Sequence, residues 1–216
     1  MEQQIPRPEY PRPRFVRPDW LNLNGEWEFE TDPGASGVER GFFRREKLAG
    51  RIRVPFCPES RLSGVGQTDF LPAVWYRRDF AVPEAWGGSR VLLHFGASDY
   101  RTDVWVNDRP AGSHAGGYTP FSFDITGLLR PEGNSVAVCA RDDPRTGRQP
   151  RGKQSDAYYS HDCDYTRTTG IWQTVWIERV PRQALEGLRI LPDPDNGRVH
   201  LEAVLSPGAD GFALRA

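Results

Sequence analysis

The chain has 216 residues, of which 38% are hydrophobic and 12% aromatic, and its formal net charge is −1 at pH 7. This length suffices for one full domain plus a remainder, so folding requires neither disulfides nor a metal. The near-zero charge gives no field that would favour nucleic acid or an anionic membrane, and no apolar run reaches membrane-spanning length. Seven tryptophans and a single methionine indicate an aromatic-rich β-protein.

Three cysteines, Cys57, Cys139 and Cys163, are widely spaced and odd in number. This pattern argues against a disulfide framework or a zinc site. The first residues have neither the basic start nor the apolar core of a secretory signal. We therefore expect a soluble, cytoplasmic protein that uses no cofactor and no metal.

An arm rich in proline and arginine opens the chain at residues 1–18, and we expect it to be extended and to lie over its own protein. Strands then dominate, and helix is limited to short turns such as Thr126–Leu129. Many short strands with Gly and Pro turns favour an all-β sandwich, most specifically a jelly roll. Runs of apolar residues, or of alternating apolar and polar residues, predict seven strands. They are Glu26–Glu30, Val74–Phe80, Arg90–Phe95, Thr102–Asn107, Phe121–Ile125, Asn134–Ala140 and Trp172–Val180.

The chain changes character after the last of these strands. Two more strands are predicted at Leu188–Leu191 and Val199–Leu205, and the pair Asn196-Gly197 between them favours a hairpin turn. Two strands do not form an independently stable sandwich. We therefore predict three segments: an extended arm at 1–18, a jelly-roll domain at 19–182, and the truncated start of a second β-domain at 183–216.

The stretch from Asp164 to Val180 combines a carboxylate, aromatic rings and hydroxyls with a glycine turn and a strand. Sugar sites use such residues, because a carboxylate accepts hydrogen bonds from hydroxyls and a ring covers the apolar face of a sugar. Asp164 is the carboxylate of this stretch, and Tyr165 is the ring beside it. The residues alone leave two alternatives open: Asp164 only caps a turn, and Tyr165 only packs within its loop.

Seven motifs occur in order along the chain: Leu23–Trp27, Val54–Ser60, Val74–Arg78, Val104–Asn107, His114–Thr126, Arg151–Gln154 and Thr169–Gln173. Together they resemble the N-terminal domain of family 2 glycoside hydrolases, the beta-galactosidase and beta-glucuronidase family. The resemblance covers most of the chain. It implies a galactose-binding-domain-like jelly roll, followed by the first strands of an immunoglobulin-like sandwich.

The resemblance implies a non-catalytic role for this chain. Family members hydrolyse β-glycosides with retention, using two glutamates about 5 Å apart that lie on a separate barrel domain. This chain contains no Asn-Glu pair, the usual setting of the acid/base glutamate, so we predict no catalytic residue and no activity of the chain alone. The expected partners are a β-glycoside substrate and the remaining domains of the same polypeptide, and a homo-oligomer stays open.

One substrate contact is implied by the family. An aspartate six residues before the glycine of the Gly-Ile motif reaches the active site in family members, and that position is Asp164 here. Tyr165, Arg151 and Lys153 are weaker candidates for substrate binding, because Tyr165 offers a ring and the basic pair suits an acidic sugar. Two other functions stay open: a stand-alone carbohydrate-binding lectin-like module, and an interaction scaffold without a ligand.

Other polar residues of the matching segments are expected to be structural. Asp99, Asp103 and Asp124 are predicted to form hydrogen bonds to turns. The segment Arg151–Gln154 is expected to be exposed, with an interdomain contact as the alternative to sugar binding. The rings of Tyr158, Tyr159 and Tyr165 are expected to pack within their loop, with stacking on a sugar as the alternative.

Overall fold

The computed structural model describes residues 5–208, which form fourteen strands and four short 3₁₀ helices. The 3₁₀ helices span Phe42–Arg44, Arg61–Ser63, Glu84–Trp86 and Thr126–Leu128. The strands are β1 (Trp20–Asn22), β2 (Gly25–Thr31), β3 (Gly50–Val54), β4 (Ala73–Phe80), β5 (Arg90–Phe95), β6 (Ser98–Asp99), β7 (Arg101–Val106), β8 (Arg109–Ala115), β9 (Phe121–Asp124), β10 (Asn134–Arg141), β11 (Gly170–Ile171), β12 (Val175–Val180), β13 (Leu185–Asp193) and β14 (Arg198–Leu205).

Two antiparallel sheets form a β-sandwich. The smaller sheet has four strands in the order β1-β12-β5-β9, and the larger has six in the order β3-β2-β4-β10-β7-β8. Strands that are distant in the sequence are therefore often paired in space. For example, β12 pairs with both β1 and β5. The predicted all-β jelly-roll sandwich is confirmed.

The hydrophobic core lies between the two sheets. Because successive side chains of a strand point to opposite faces, alternate apolar residues enter this space and their neighbours leave it. Burial of such side chains is the main favourable contribution to folding. Representative core residues, each at most 1% exposed, are Trp27, Tyr76, Leu93, Val138 and Ile177.

The strand predicted over Trp172–Val180 begins only at Val175 in the structure, where β12 starts. The short strand β11, which ends just before this range, pairs with β6, whereas β12 belongs to the smaller sheet. Gly170 begins β11 with φ of +71°, and a Cβ there would overlap the hydroxyl group of Tyr76, so this position favours glycine. The prediction of a strand over Trp172–Thr174 was wrong, because the alternating pattern continues through the connection between β11 and β12.

The arm contacts the smaller sheet. The Tyr10 hydroxyl donates a hydrogen bond to Glu178 of β12, and Arg17 Nε lies 3.1 Å from Glu178 Oε2. The carbonyl oxygen of Pro6 accepts a hydrogen bond of 3.0 Å from Asn24 Nδ2. The described part of the arm thus lies over its own protein, as expected.

The predicted second strand pair forms a hairpin of β13 and β14, whose turn contains Gly197 at φ of +61°. Residues 1–4 of the predicted arm and residues 209–216 of the predicted second domain lie outside the described residues. The domain boundaries themselves stay predictions.

Candidate functional site

The four predicted binding residues lie on the long connection between β10 and β11, at residues 142–169. We call this connection the binding loop. It contains no helix and no named strand, but two isolated bridges fold it back on itself, Gln154 with Tyr165 and His161 with Asp164. Long connections of this kind are uncommon in compact domains, and many of them are functional.

The turn that carries Asp164 closes through backbone atoms. The Asp164 N–H group donates to the His161 carbonyl oxygen at 2.8 Å, and the His161 N–H group donates to the Asp164 carbonyl oxygen at 3.2 Å. Asp162, between them, has φ of +48°, a left-handed value that aspartate adopts more readily than most residues. The Asp164 side chain is 21% exposed, so its carboxylate reaches solvent from a closed turn.

The fold brings the weaker candidates beside Asp164. The Tyr165 N–H group donates to the Lys153 carbonyl oxygen at 2.8 Å, so the basic segment runs next to Asp164. Arg151 Nη2 lies 4.0 Å from Asp164 Oδ2. Tyr165 is 45% exposed, and Lys153 is exposed as well. One carboxylate, one ring and two cations are therefore neighbours at the protein surface.

Arg151 is held mainly by other groups. Its Nη1 donates to the Gln154 carbonyl oxygen at 2.8 Å, and its Nη2 lies 3.4 Å from Asp156 Oδ2. The contact of 4.0 Å to Asp164 is the longest of the three. The Asp164 carboxylate therefore keeps acceptor capacity for an incoming hydroxyl group.

Three buried polar side chains stabilise the binding loop, and none of them was identified as important from the sequence. Gln154, Ser155 and Arg167 are at most 2% exposed. Gln154 accepts a hydrogen bond of 2.7 Å from the Thr168 N–H group and donates one of 2.8 Å to Asp99 Oδ2. The expectation that Gln154 is exposed like its basic neighbours was wrong, because its partners come from distant parts of the chain.

Arg167 is a buried cation without a carboxylate partner among the ion pairs of residues 5–208. Its guanidinium donates to the carbonyl oxygens of Ser155, at 3.3 Å, and of Ala157 and Thr68. It also lies 4.1 Å from the ring centre of Phe70. Carbonyl oxygens and the face of an aromatic ring therefore stabilise the positive charge of Arg167. The contacts with Thr68 and Phe70 also connect the loop to the segment before β4.

Three buried carboxylates lie around the point where the binding loop enters β11. Glu59 accepts a hydrogen bond of 3.1 Å from the Thr169 N–H group, and Asp142 accepts one of 3.2 Å from the Thr169 hydroxyl. Burial raises the pKa of Glu59, and it raises the pKa of Asp142 to about 6. Burial, with the charge of Asp142, raises the pKa of Asp99 to about 7. Protons therefore bind to this region close to neutral pH.

The remaining sequence candidates are structural or exposed. Asp124 accepts a hydrogen bond of 3.0 Å from the Thr126 N–H group, which is the predicted contact with a turn. Asp103 instead pairs with an arginine of β10. Tyr158 meets Phe70 edge to face with ring centres 5.0 Å apart, and Tyr159 meets His161 at 5.9 Å, so both rings pack locally although they are 63% and 70% exposed.

Within the described residues 5–208, cysteines and potential metal ligands are dispersed. There, no group of three or more His, Cys, Asp and Glu side chains is placed to hold a metal ion, and the three cysteines are free. Burial raises the pKa of Cys57 and of Cys139 to about 12, which makes both thiols poor nucleophiles at neutral pH. The same part of the chain has no helix that is long and apolar enough to cross a membrane.

Comparison with solved structures supports the sandwich. The beta-glucuronidase from Ruminococcus gnavus in complex with D-glucaro-d-lactam superposes with a TM-score of 0.70 at 20% identity, over 88% of this chain and 35% of that chain. The apo form of a beta-glucuronidase from the same organism gives a TM-score of 0.68. This likeness shows a shared fold.

Two curated relatives are similar to about half of this chain. A beta-glucuronidase from Paenibacillus borealis is 34% identical over 113 residues, which is 51% of this chain and 19% of the relative. A beta-galactosidase from Thermoanaerobacter pseudethanolicus is 32% identical over 114 residues, which is 52% of this chain and 14% of the relative. The chain thus spans less than a fifth of the length of these relatives.

A family model described as glycosyl hydrolases family 2, sugar binding domain, matches residues 64–181. The match covers more than half of the chain and includes the whole binding loop. It agrees with the fold and with the order of the sequence motifs. The chain therefore belongs to glycosyl hydrolase family 2 and carries the sugar binding domain of that family.

Proposed function

We propose that this chain is the substrate-binding part of a β-glycosidase and that Asp164 is its principal contact with the sugar. The observation that carries the proposal is the state of the Asp164 carboxylate. It is partly exposed, its turn closes through backbone atoms, and its nearest cation lies at 4.0 Å. A carboxylate in this state accepts two hydroxyl protons, so it fits a pair of sugar hydroxyl groups.

The chemistry of hydrolysis is assigned, in this proposal, to another domain of the same polypeptide. A retaining glycosidase needs an acid/base carboxyl group and a nucleophilic carboxylate about 5 Å apart. Family membership supports a β-glycoside as substrate, since relatives are named beta-glucuronidase and beta-galactosidase. The neighbouring cations Arg151 and Lys153 favour the acidic sugar of the two.

The test is Asp164→Ala in a longer polypeptide that joins this chain to the catalytic barrel of the family. We expect kcat/KM on nitrophenyl β-glycosides to fall at least about 10-fold, because one charged hydrogen bond contributes about 1.5–3 kcal/mol. Asp162→Asn is the matched control, since it removes an exposed carboxylate of the same turn (94% exposed) and asparagine also adopts the left-handed φ of +48° found there. An unchanged kcat/KM for Asp164→Ala would show that Asp164 is structural.

The lectin-like alternative has a separate test, supported by the exposed rings of Tyr158 and Tyr159. We expect titration calorimetry of the 216-residue chain with methyl β-D-glucuronide to show no binding at micromolar strength. We also expect this chain alone to leave nitrophenyl β-glycosides intact. Micromolar binding would favour a stand-alone lectin-like module, and turnover by clean protein would contradict the division of labour proposed here.

A further inference from the structure

A small cavity lies next to the binding loop, and the role proposed for Asp164 does not account for it. The cavity measures about 90 Å³. Since liquid water occupies about 30 Å³ per molecule, this is room for about three waters or one small polar group of a larger ligand. Its walls are Asp99, Tyr118, Tyr165, Thr168 and Trp172.

Asp99 is a wall residue of this cavity and carries one carboxylate oxygen without a hydrogen-bond partner within residues 5–208. The residue is 2% exposed, its Oδ2 accepts a hydrogen bond from Gln154, and its Oδ1 has no hydrogen-bond partner within residues 5–208. A buried polar atom without a partner costs about 1–3 kcal/mol, so a donor is expected at Oδ1 when the site is filled.

Gln154 fixes the orientation of that carboxyl group. Its amide oxygen accepts from the Thr168 N–H group at 2.7 Å, and its amide nitrogen donates to Asp99 Oδ2 at 2.8 Å. Reversing the amide would break both bonds, so the Gln154 side chain always presents a donor to Asp99. Oδ1 is therefore the carboxyl oxygen left for a ligand.

Aromatic residues form the rest of the wall. Trp172 Nε1 donates to the Gly117 carbonyl oxygen at 2.7 Å, which holds the indole in place. Tyr118 meets Trp172 edge to face, with ring centres 5.9 Å apart. Tyr118 and Tyr165 are 54% and 45% exposed, so the cavity opens to solvent between rings. Rings that cover C–H groups beside a fixed acceptor suit a carbohydrate.

We propose that this cavity is a second carbohydrate subsite, in which a hydroxyl or hydroxymethyl group of a glycoside donates to Asp99 Oδ1. The inference rests on the proposed function for its choice of a sugar, and Tyr165 connects the cavity to the adjacent Asp164. Every lining residue belongs to this chain, so the subsite binds without another domain. Its small contact area gives a dissociation constant on the order of millimolar.

The test follows the indole N–H signal of Trp172 by NMR at pH 8, above the Asp99 pKa of about 7, while the 216-residue chain is titrated with methyl β-D-glucuronide or methyl β-D-galactoside. Trp172→Phe assigns the signal. We expect a saturable shift in the original chain. Asp99→Asn should weaken binding at least about 5-fold, because Gln154 takes the amide oxygen and leaves a donor facing the cavity. Thr168→Leu should abolish the shift by filling the space, while it keeps the backbone donor to Gln154.

Asp124→Asn is the control, since it removes a carboxylate outside the binding loop and should leave the shift unchanged. Thermal unfolding by circular dichroism shows whether each variant folds, and Thr168→Leu decides the question if Asp99→Asn does not. No saturable shift up to about 100 mM glycoside would mean that the cavity holds only water, which overturns the subsite. A shift that Asp164→Ala abolishes but Asp99→Asn retains would also overturn it, while supporting the proposed role of Asp164.

Discussion

Two buried carboxylates of this domain differ in what surrounds them, and Glu178 in β12 is the compensated one. It is 0% exposed, and its Oε2 lies 3.1 Å from Arg17 Nε and 3.3 Å from His94 Nε2. Burial acts to raise the pKa of Glu178, but the interaction with His94 and a hydrogen bond from Tyr10 outweigh it and lower the pKa to about 2. Glu178 therefore stays charged and holds the arm on the smaller sheet.

Asp99 is equally withdrawn from solvent but is paired with no cation among the ion pairs of the described residues. Burial and the charge of Asp142 raise its pKa to about 7, against a single hydrogen bond from Gln154. The contrast distinguishes a carboxylate that stabilises the fold from one that we propose to bind a ligand. Glu178 Oε1 accepts hydrogen bonds from Tyr10 and Trp176, and its Oε2 faces Arg17 at 3.1 Å. Asp99 instead has one oxygen without a cation or a hydrogen-bond donor within residues 5–208, and its pKa is raised, features that cluster at functional sites.

Breaking the compensated site should have the largest effect. We expect Glu178→Gln to lower the free energy of unfolding by about 3 kcal/mol, because Arg17 loses its buried counter-charge. Urea denaturation at pH 7 measures it. Glu202→Gln is the matched control, since its 3.1 Å pair with Arg189 is 58% exposed at the glutamate and should contribute less than about 1 kcal/mol. Equal effects of the two variants would contradict the comparison.

Opposite pKa shifts predict opposite pH dependence. The pKa of Glu178 is lowered from 4.5 to about 2, so its ionisation stabilises the folded state above pH 4.5, and this stabilisation is lost as the pH falls through 2. The pKa of Asp99 is raised from 3.8 to about 7, so its protonated form stabilises the folded state fully below pH 3.8, and this stabilisation is lost as the pH rises through 7. These two groups therefore favour the folded state most near pH 4 to 5.

Chemical denaturation across this range tests the sign of each shift. We expect Asp99→Asn to reduce the loss of stability between pH 5 and pH 8 by about 1–3 kcal/mol, since one pKa unit corresponds to about 1.4 kcal/mol. Asp142, whose pKa is about 6, retains part of that loss. Glu178→Gln should instead flatten the acid side. A wild-type chain that gains stability from pH 5 to pH 8, with no change in Asp99→Asn, would contradict the raised pKa.

The sequence predicted the central strands well and the edges poorly. Alternating apolar residues identify β4 and β10, which lie inside the larger sheet and are buried along most of their length. The edge strands β3 and β8 were not predicted. β8 contains Pro110 and Gly112, which normally argue against a strand, but an edge tolerates both because one side of it needs no partner.

The binding loop shows a similar division. The position of Asp164 follows from a local motif, six residues before Gly170, so the sequence could identify it. The contact between Gln154 and Asp99 joins residues 55 positions apart, and both are polar types that are usually exposed. Their burial depends on how the loop folds against β6, which no local pattern records.

The smallest expected effect concerns Arg151 and Asp164, the exposed counterpart of the Arg17 and Glu178 pair. The side chains are 31% and 21% exposed and 4.0 Å apart, so solvent screens their attraction. In a double-mutant cycle of Arg151→Ala and Asp164→Ala, we expect a coupling energy below about 0.5 kcal/mol in urea denaturation. A coupling above about 1 kcal/mol would show that Arg151 already uses the Asp164 carboxylate, as cations use Glu178, and that little acceptor capacity is left for a sugar.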